Sequence, residues 1–477
     1  MGGAARLREL VAVETSGVSV WYHREQSERP EGPWLTSFTD FTDVRSFGAN
    51  AIRRTSRTRG FSTNDWVDST EWTPPSTVVV SSGVGVSLPN GTVMPPGTLP
   101  DLAALPVDLV PERVIASARQ AADLHAEPDE VVDGYPHHVV AFSSRGAHVR
   151  VILNAPSLLP KAVEIARTHE DSMFLAPWGD VTQRVTFGMW TREPDGLRSP
   201  RVWESSTDGQ PDGSTYLTRV RPNPQIADTD FEWPAEVRQQ LIAARPRIAD
   251  LPFGPVGATG RPIRELAPGI VKVPGRFDVI EVDQDDGIVV IEAPLSSDYS
   301  AKALADVRQR FGSKPVKAVV TTSDAWPHIG GIREYVARGI PMYVLDLNVP
   351  IVRRLLSAKY ESSPDALARA PRAARLEVVA GKTTVGSGAN RFDIYPFRTA
   401  TGERQMMIYW PEHRLLYSSD LFTIRNDFVF LPQQVSEAVD AVARQRLDVT
   451  TAFGMHYDPL PWGDVLKNTL PASRTPR

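Results

Sequence analysis

The stretch TTSDAWPHIGGIREYVARG, Thr321 to Gly339, decides how the second half of this chain is read. It follows Val316, Ala318, Val319 and Val320, an apolar run with the composition of a buried strand, and passes two glycines into a short helix-like segment. Its outline is that of a metal-binding loop. It holds one histidine, His328, and serine, alanine and proline stand where further ligands would be sought.

The surroundings have an alternating rhythm. Upstream, IVKVPGRFDVIEVDQDDGIVVIEAP (270–294) contains three strand-like runs, the last nearly all apolar, as a strand covered on both faces should be. SAKALADVRQRFG then carries Ala303, Leu304, Val307 and Phe311 at the spacing of one helix face. Gly330 to Gly339 reads as a short helix and PMYVLDL as a further strand, so this region is predicted to be an α/β domain with helices covering a sheet.

The first half reads differently. VSVWYH, STVVVSS, HHVVAFSS, HVRVILNA, RVTFGMW and STYLTRV are short strand-like runs broken by Gly, Pro, Asp and Asn. LVPERVIASARQAADL and LLPKAVEIARTH carry apolar spacing compatible with one or two helices. SLPNGTVMPPGTLPDLAALP reads as surface loop. The fold class is therefore a two-domain α+β and α/β chain: a β-rich, mostly antiparallel domain over 1–245, a Pro/Gly-rich linker over 246–262 and a second domain over 263–477.

From about Arg264 onward the chain resembles the metallo-β-lactamase superfamily, whose fold is an αββα sandwich with metals at one end of its two sheets. The family loop THxHxDHxGG, aligned on the His-x-Gly-Gly ending, places Thr322 on the threonine and His328 on the last histidine. Ser323 and Ala325 fall on the first two histidines and Pro327 on the aspartate. Trp326 and GGIREYVARG also resemble members reading HHHWDHxGGLRxYVAxG. QMMIYWPEHRLLYSSDLF is similar to the hairpin that ends in a metal-bridging aspartate, which implies that role for Asp420. TAFGMHYDP resembles the segment of the last metal histidine, which implies His456, and the family's remaining histidine position falls near Thr401.

Beyond the linker the chain has only three histidines, His328, His413 and His456, too few for the family's two-metal site. The resemblance then implies at most one divalent metal, held by His328, Asp420 and His456, with zinc first and iron or manganese as alternatives, or no metal at all. Two imidazoles and a carboxylate form the open three-ligand set of catalytic zinc and non-haem iron. Asp324 and Glu403, in the loops bordering that site, are the candidates for a base or an extra ligand, Asp324 foremost because it shares the turn of His328. A hydrogen-bonded polar cluster that merely holds loops is the competing reading.

Other motifs carry less. His137 and His138 are adjacent on a strand and point to opposite faces, so they read as strand packing. His413, beside Pro411 and Glu412, reads as an exposed hairpin turn. Ser418 and Ser419 read as a sheet edge, since no GxSxG elbow surrounds them. Arg53, Arg54, Arg57 and Arg59 read as the wet face of a strand.

HVVAFSSRGAHVRVILNAPSLLPKAVEIA, followed by APWGDVTQRVTFGMW, resembles the curved antiparallel sheets of periplasmic lipoprotein-carrier domains. That implies an apolar face for an acyl chain or partner, with a structural platform shaping the mouth of the second domain's site as the plainer expectation.

Composition narrows the partners. With a net charge of -5 over 477 residues and one small basic cluster, nucleic acid is not the expected partner, and a small-molecule substrate or ligand is. Zero cysteines exclude disulfides, thiolate metal sites and cysteine nucleophiles. No apolar run is long enough to span a bilayer. MGGAARLREL lacks the apolar core of a signal peptide, so the chain reads as cytoplasmic as written and as periplasmic or secreted should an export signal precede it. Oligomeric state has no signature in the sequence. Two functions follow: a hydrolase-like protein in which one metal activates water against an ester, amide or phosphoester, and a non-catalytic pseudoenzyme or ligand-binding protein using the same cleft.

Overall fold

The computed structural model describes all residues except 25–30, 63–66, 82–83, 89–91, 95–104, 234–236, 238–246, 255–258, 423, 426–427, 430–431 and 470–477. Most of the loop expected over 87–106 and parts of the linker expected over 246–262 lie outside the described residues. The chain forms two compact units. One comprises Met1–Arg24, Trp34–Thr168 and Asp180–Arg245, the other Glu25–Pro33, His169–Gly179 and Pro246–Arg477. The second thus draws in two segments, 25–33 and 169–179, that a single cut near residue 245 would assign to the first.

The first unit is built on one fourteen-stranded sheet in which every strand pair is antiparallel. Neighbours in sequence are mostly neighbours in the sheet, and the first long strand, Ala12–His23, pairs with the last, Gln210–Pro222. The helix Pro111–Gln120 starts on a proline, whose missing N–H costs nothing at a first turn. Its Val114 and Ala118 pack on Phe142, Val149, Val151, Val163, Ile165, Val185 and Phe187. The second helix-compatible segment is instead the strand Pro160–Thr168. Val163 and Ile165 face this core while Ala162 joins Val139 and Ile152 in another cluster, a period of two that β-branched side chains favour and that apolar counting over a short run cannot separate from a helix.

His137 and His138 point to opposite faces: His137 is buried with Nδ1 2.8 Å from Tyr135 O, and His138 lies 3.1 Å from Asp129 on the outside. The arginine strand, Ala51–Ser62, corrects the solvated reading at one position. Arg57 pairs with Asp40 in the open, but Arg54 is buried and binds Asp43 through two hydrogen bonds, because strand alternation sends it to the covered face.

The second unit has a seven-stranded and a six-stranded sheet. Ile280, Val282, Val289, Ile291, Ala318 and Val320 of the first meet Phe392, Ile394, Ile408, Trp410, Tyr417 and Phe453 of the second in a shared core. Helices cover the outer faces. Arg310 of the helix Ser297–Phe311 binds Glu281 on the opposite side of the strand that contributes Ile280 and Val282. Val435, Ala438 and Val442 of the helix Pro432–Arg444 pack on Met407, Tyr409 and Leu416. The run Gly287–Ile291, buried at all five residues, pairs in parallel with Val316–Val320, and their ends deliver the next loops to one edge.

Candidate metal centre

Three loops, each leaving a buried strand, supply the site. The strand Val316–Val320 ends in the 321–325 loop, which turns into the short helix Trp326–Ile329 with a proline in its first turn. Thr322 Oγ1 donates to Glu292, and Leu295 N donates to Pro327 O at 2.7 Å, so the loop is pinned to the end of the neighbouring strand. Trp326 meets Trp178 edge to face at 5.0 Å. His328 is thereby fixed inward and buried.

The strand Leu415–Tyr417 runs into a turn where Ser419 takes φ 49°, a left-handed conformation uncommon for a side chain with a Cβ. That turn directs Asp420 at the site. The strand Thr451–Phe453 leads through Gly454, where a Cβ would stand 2.2 Å from Ser419 O, so only glycine lets the two turns pass. Behind His456, Tyr457 is held by Lys272 Nζ on its carbonyl at 2.6 Å and by Ser418 Oγ at its hydroxyl at 2.8 Å.

His328, Asp420 and His456 each offer one donor atom, and these lie within 4.8 Å of one another. His328 Nε2 is 3.1 Å from one Asp420 oxygen and His456 Nε2 is 3.4 Å from the other. Donors about 2.1 Å from a tetrahedral zinc stand roughly 3.4 Å apart, and each imidazole lies near that spacing from one of the two Asp420 oxygens. Phe277 stands edge-on to both imidazoles, 5.1 Å from His328 and 4.7 Å from His456, and closes one side. The His328 side chain is 5% exposed, against 23% for Asp420 and 26% for His456, so the approach lies over the latter two.

Burial pushes His328 down to about 3 and His456 down to about 4, the latter against the pull of Asp420. Both imidazoles are neutral at physiological pH, as ligands must be. Burial raises the Asp420 carboxyl, with His456 opposing, which is the penalty a bound cation would reverse. His328 Nδ1 lies 3.2 Å from Ser419 Oγ. A metal at Nε2 places the ring proton on Nδ1, where Ser419 accepts it, the outer contact that fixes a ligating imidazole. The donor set and its support therefore fit a single divalent cation.

The other residues singled out in the sequence sit apart from the three donors. Asp324 keeps some exposed surface but is densely surrounded, and burial pushes its carboxyl up to about 7 against the pull of Arg404. Glu403 is partly exposed in the turn before the strand Met406–Trp410. Neither belongs to the group of donors that could share an ion. Ser323 Oγ accepts from Ala325 N of its own loop at 3.1 Å, and Thr401 Oγ1 donates to Glu437 of the helix Pro432–Arg444 at 2.8 Å, so both hydroxyls are engaged. His413 is half-buried rather than exposed, with Nε2 2.9 Å from Asn390 Oδ1.

Four supporting residues escaped sequence reading. Ser419 is a hydrogen-bond partner of His328 in the turn after the strand Leu415–Tyr417 and not a sheet-edge residue; its adjacency to Asp420 was the available signal. Phe277, Glu292 and Lys272 had none, because each lies in a strand-like run where its type is unremarkable. Glu292 ends the strand Gly287–Ile291 fully buried, accepts from Thr322 and from Tyr417 at 3.0 Å, and is pushed up to about 7 by desolvation. Lys272 forms a buried 3.0 Å pair with Asp278, whose loop carries Phe277.

No protein-family model matches the chain, and no curated protein gives a significant match. Among solved structures the chain is similar to an inverting sec-alkylsulfatase from Pseudomonas sp., with 17% identity and a TM-score of 0.33 over 43% of this chain and 39% of that one. It is also similar to a metallo-β-lactamase from Pontibacter korlensis, with 15% identity and a TM-score of 0.33 over 43% of this chain and 95% of that one. DIM-1 metallo-β-lactamase gives 10% identity and a TM-score of 0.34 over 43% and 94%. The chain thus spans well under half of the sulfatase.

Proposed function

We propose that the second unit is a hydrolase-like domain of the metallo-β-lactamase kind, with one divalent metal held by His328, Asp420 and His456. Its reaction is hydrolysis of an ester, amide or phosphoester in a small molecule. The observation that carries this reading is the convergence of three donor atoms, from residues far apart in the chain, within 4.8 Å of one another.

When bound, the cation supplies Lewis acidity, polarising an acyl or phosphoryl oxygen and acidifying water. The chain's own residues do the rest. Neutral His328 and His456 bind, Asp420 adds the one negative charge, Ser419 orients the His328 ring, and Phe277 keeps water from the closed side. Asp324, poised near neutrality in the same loop, holds or releases a proton at its carboxyl. Zinc is the first candidate, iron and manganese the next.

A second reading has its own support. Ser323 and Thr401, at positions where the family places ligands, are bonded to Ala325 N and to Glu437, which suits a cleft that binds a ligand without catalysis. Elemental analysis of purified protein, followed by hydrolysis assays on ester, lactone, thioester and phosphodiester panels, separates the two. About one equivalent of metal with metal-dependent turnover supports the hydrolase. Absence of metal after attempted loading with zinc, iron and manganese removes it, and loading without turnover on any panel favours the ligand-binding protein. For the first unit we propose a structural platform in preference to an acyl-chain carrier of the lipoprotein-carrier kind.

A further inference from the structure

The segment His169–Gly179 connects two paired strands of the first unit's sheet, Pro160–Thr168 and Asp180–Arg192, yet it belongs to the second unit. A connection between antiparallel strands is ordinarily polar and wet. This one reads HEDSMFLAPWG, with Met173, Phe174, Leu175 and Trp178 close together, and Pro177 and Trp178 are buried. Side chains of that size leave water only where something packs on them.

What covers them is the support of the metal centre. The Trp178 ring meets Trp326 edge to face, 5.0 Å between centroids, and Trp326 opens the short helix that carries His328. The Arg354 guanidinium lies over the Trp178 ring at 4.6 Å. Pro177 closes on Gly330, where a Cβ would stand 2.8 Å from its Cγ and 2.5 Å from Leu295 O, so the chain just after His328 passes here only as glycine. Met173 and Ala176 pack on the cluster of Phe277, Leu295 and Met455. Phe277 is the ring that stands against both imidazoles, and Met455 precedes His456.

The segment is itself anchored at both ends. Glu170 O accepts from Ile248 N at 2.7 Å, and the Glu170 carboxylate pairs with Arg247 at 2.9 Å. Tyr360 Oη donates toward Ala176 O and Pro177 O, at 3.1 and 2.9 Å, and the Arg333 guanidinium covers its ring at 4.2 Å. In a close-packed interior, a ring fixed this way sets the place of the ring it touches.

We propose that Trp178 is a positioning residue of the metal centre. It fixes Trp326, and through the helix Trp326–Ile329 it fixes the inward direction of His328, while Met173 and Ala176 back Phe277. The centre is then incomplete without a segment from the first half of the chain. The inference rests on the one-metal reading for its effect on affinity; the accessibility of His328 tests it without any metal.

The test compares full-length wild type, Trp178→Ala and Trp178→Phe, each checked by circular dichroism. Proteins stripped by chelator are treated with diethyl pyrocarbonate, which modifies accessible neutral imidazoles, and each histidine is followed by mass spectrometry. Buried His328 should be protected in the wild type. Trp178→Ala should lose that protection, while the rates at buried His137 of the first unit and at His413 of the second stay unchanged; loosening of a whole unit would raise those too. Zinc affinity, read by competition with a chelator, should fall roughly tenfold in Trp178→Ala. Trp178→Phe, which keeps a ring against Trp326, should recover most of both losses. A wild type that binds no zinc removes the one-metal reading, and protection of His328 then decides the inference alone. Should Trp178→Ala not fold, Tyr360→Phe, which removes the two hydrogen bonds to Ala176 and Pro177, should raise the His328 rate instead. The inference is overturned by a folded Trp178→Ala, or failing that a Tyr360→Phe, in which His328 stays as protected as in the wild type. Rates that rise at His413 as much as at His328 overturn it as well, and so does a Phe variant that recovers nothing.

Discussion

Ser419 shows how much of the proposed metal centre rests on one residue beside Asp420. Its left-handed backbone turns Asp420 inward, and its hydroxyl meets His328 Nδ1 at 3.2 Å. Ser419→Ala should keep the fold and weaken metal affinity by about 10- to 100-fold, read as a Kd in competition with a chelator. His328→Ala, Asp420→Asn and His456→Ala should each abolish stoichiometric metal, and retention of a full equivalent by any of them would mean that the ion binds elsewhere. The ligand types were readable because histidine is scarce here, with three beyond the linker. Asp324 was also readable as a loop carboxylate, but its near-neutral carboxyl depends on burial and on Arg404, which no short window of sequence discloses.

At the level of elements, strand ends and their loops set the chemistry. Glu292 terminates a fully buried strand, and its carboxyl is pushed from 4.5 to about 7. An acid with a raised folded pKa makes the folded protein hold a proton that the unfolded chain has released, so its contribution destabilises as pH rises from about 4.5 to about 7. The full effect above that window is about 3 kcal/mol. Glu292→Gln removes it. The melting temperature of the variant minus that of the wild type, measured in chelator, should therefore grow with pH across the window; a difference that stays flat would show Glu292 to be ionised throughout.

Lys272 offers a second test at this scale, because it joins Asp278 to the carbonyl of Tyr457 and so ties the Phe277 loop to the His456 loop. Lys272→Met leaves Asp278 with Arg261 and the Gly275 N–H and should cost about 3 kcal/mol in urea unfolding. Lys272→Met with Asp278→Asn should cost less than the two single changes added. Element types were legible where periodicity was long, as in the helix Ser297–Phe311, or where the run was apolar throughout, as in the strand Gly287–Ile291. Pro160–Thr168 was not, since a short apolar run fits either period until its neighbours declare which face is buried.

For the whole molecule, two compact units predict two calorimetric transitions. Zinc at about 100 times its Kd should stabilise the second unit by about 2.7 kcal/mol and leave the other transition in place. A single transition would show that the units unfold as one, and a zinc-dependent shift of both would show that they are coupled. The amino-acid sequence by itself determined the β-rich first half, the α/β rhythm of the second and the presence of only three histidines beyond the linker, because composition and periodicity are local properties. Only the tertiary structure decided that His328, Asp420 and His456 meet, that segments 25–33 and 169–179 belong to the second unit, and that Arg45 and Arg54 share one buried carboxylate. Each of those facts joins residues of different elements, and such contacts are set by packing and desolvation, which act between elements and leave no trace within any one of them.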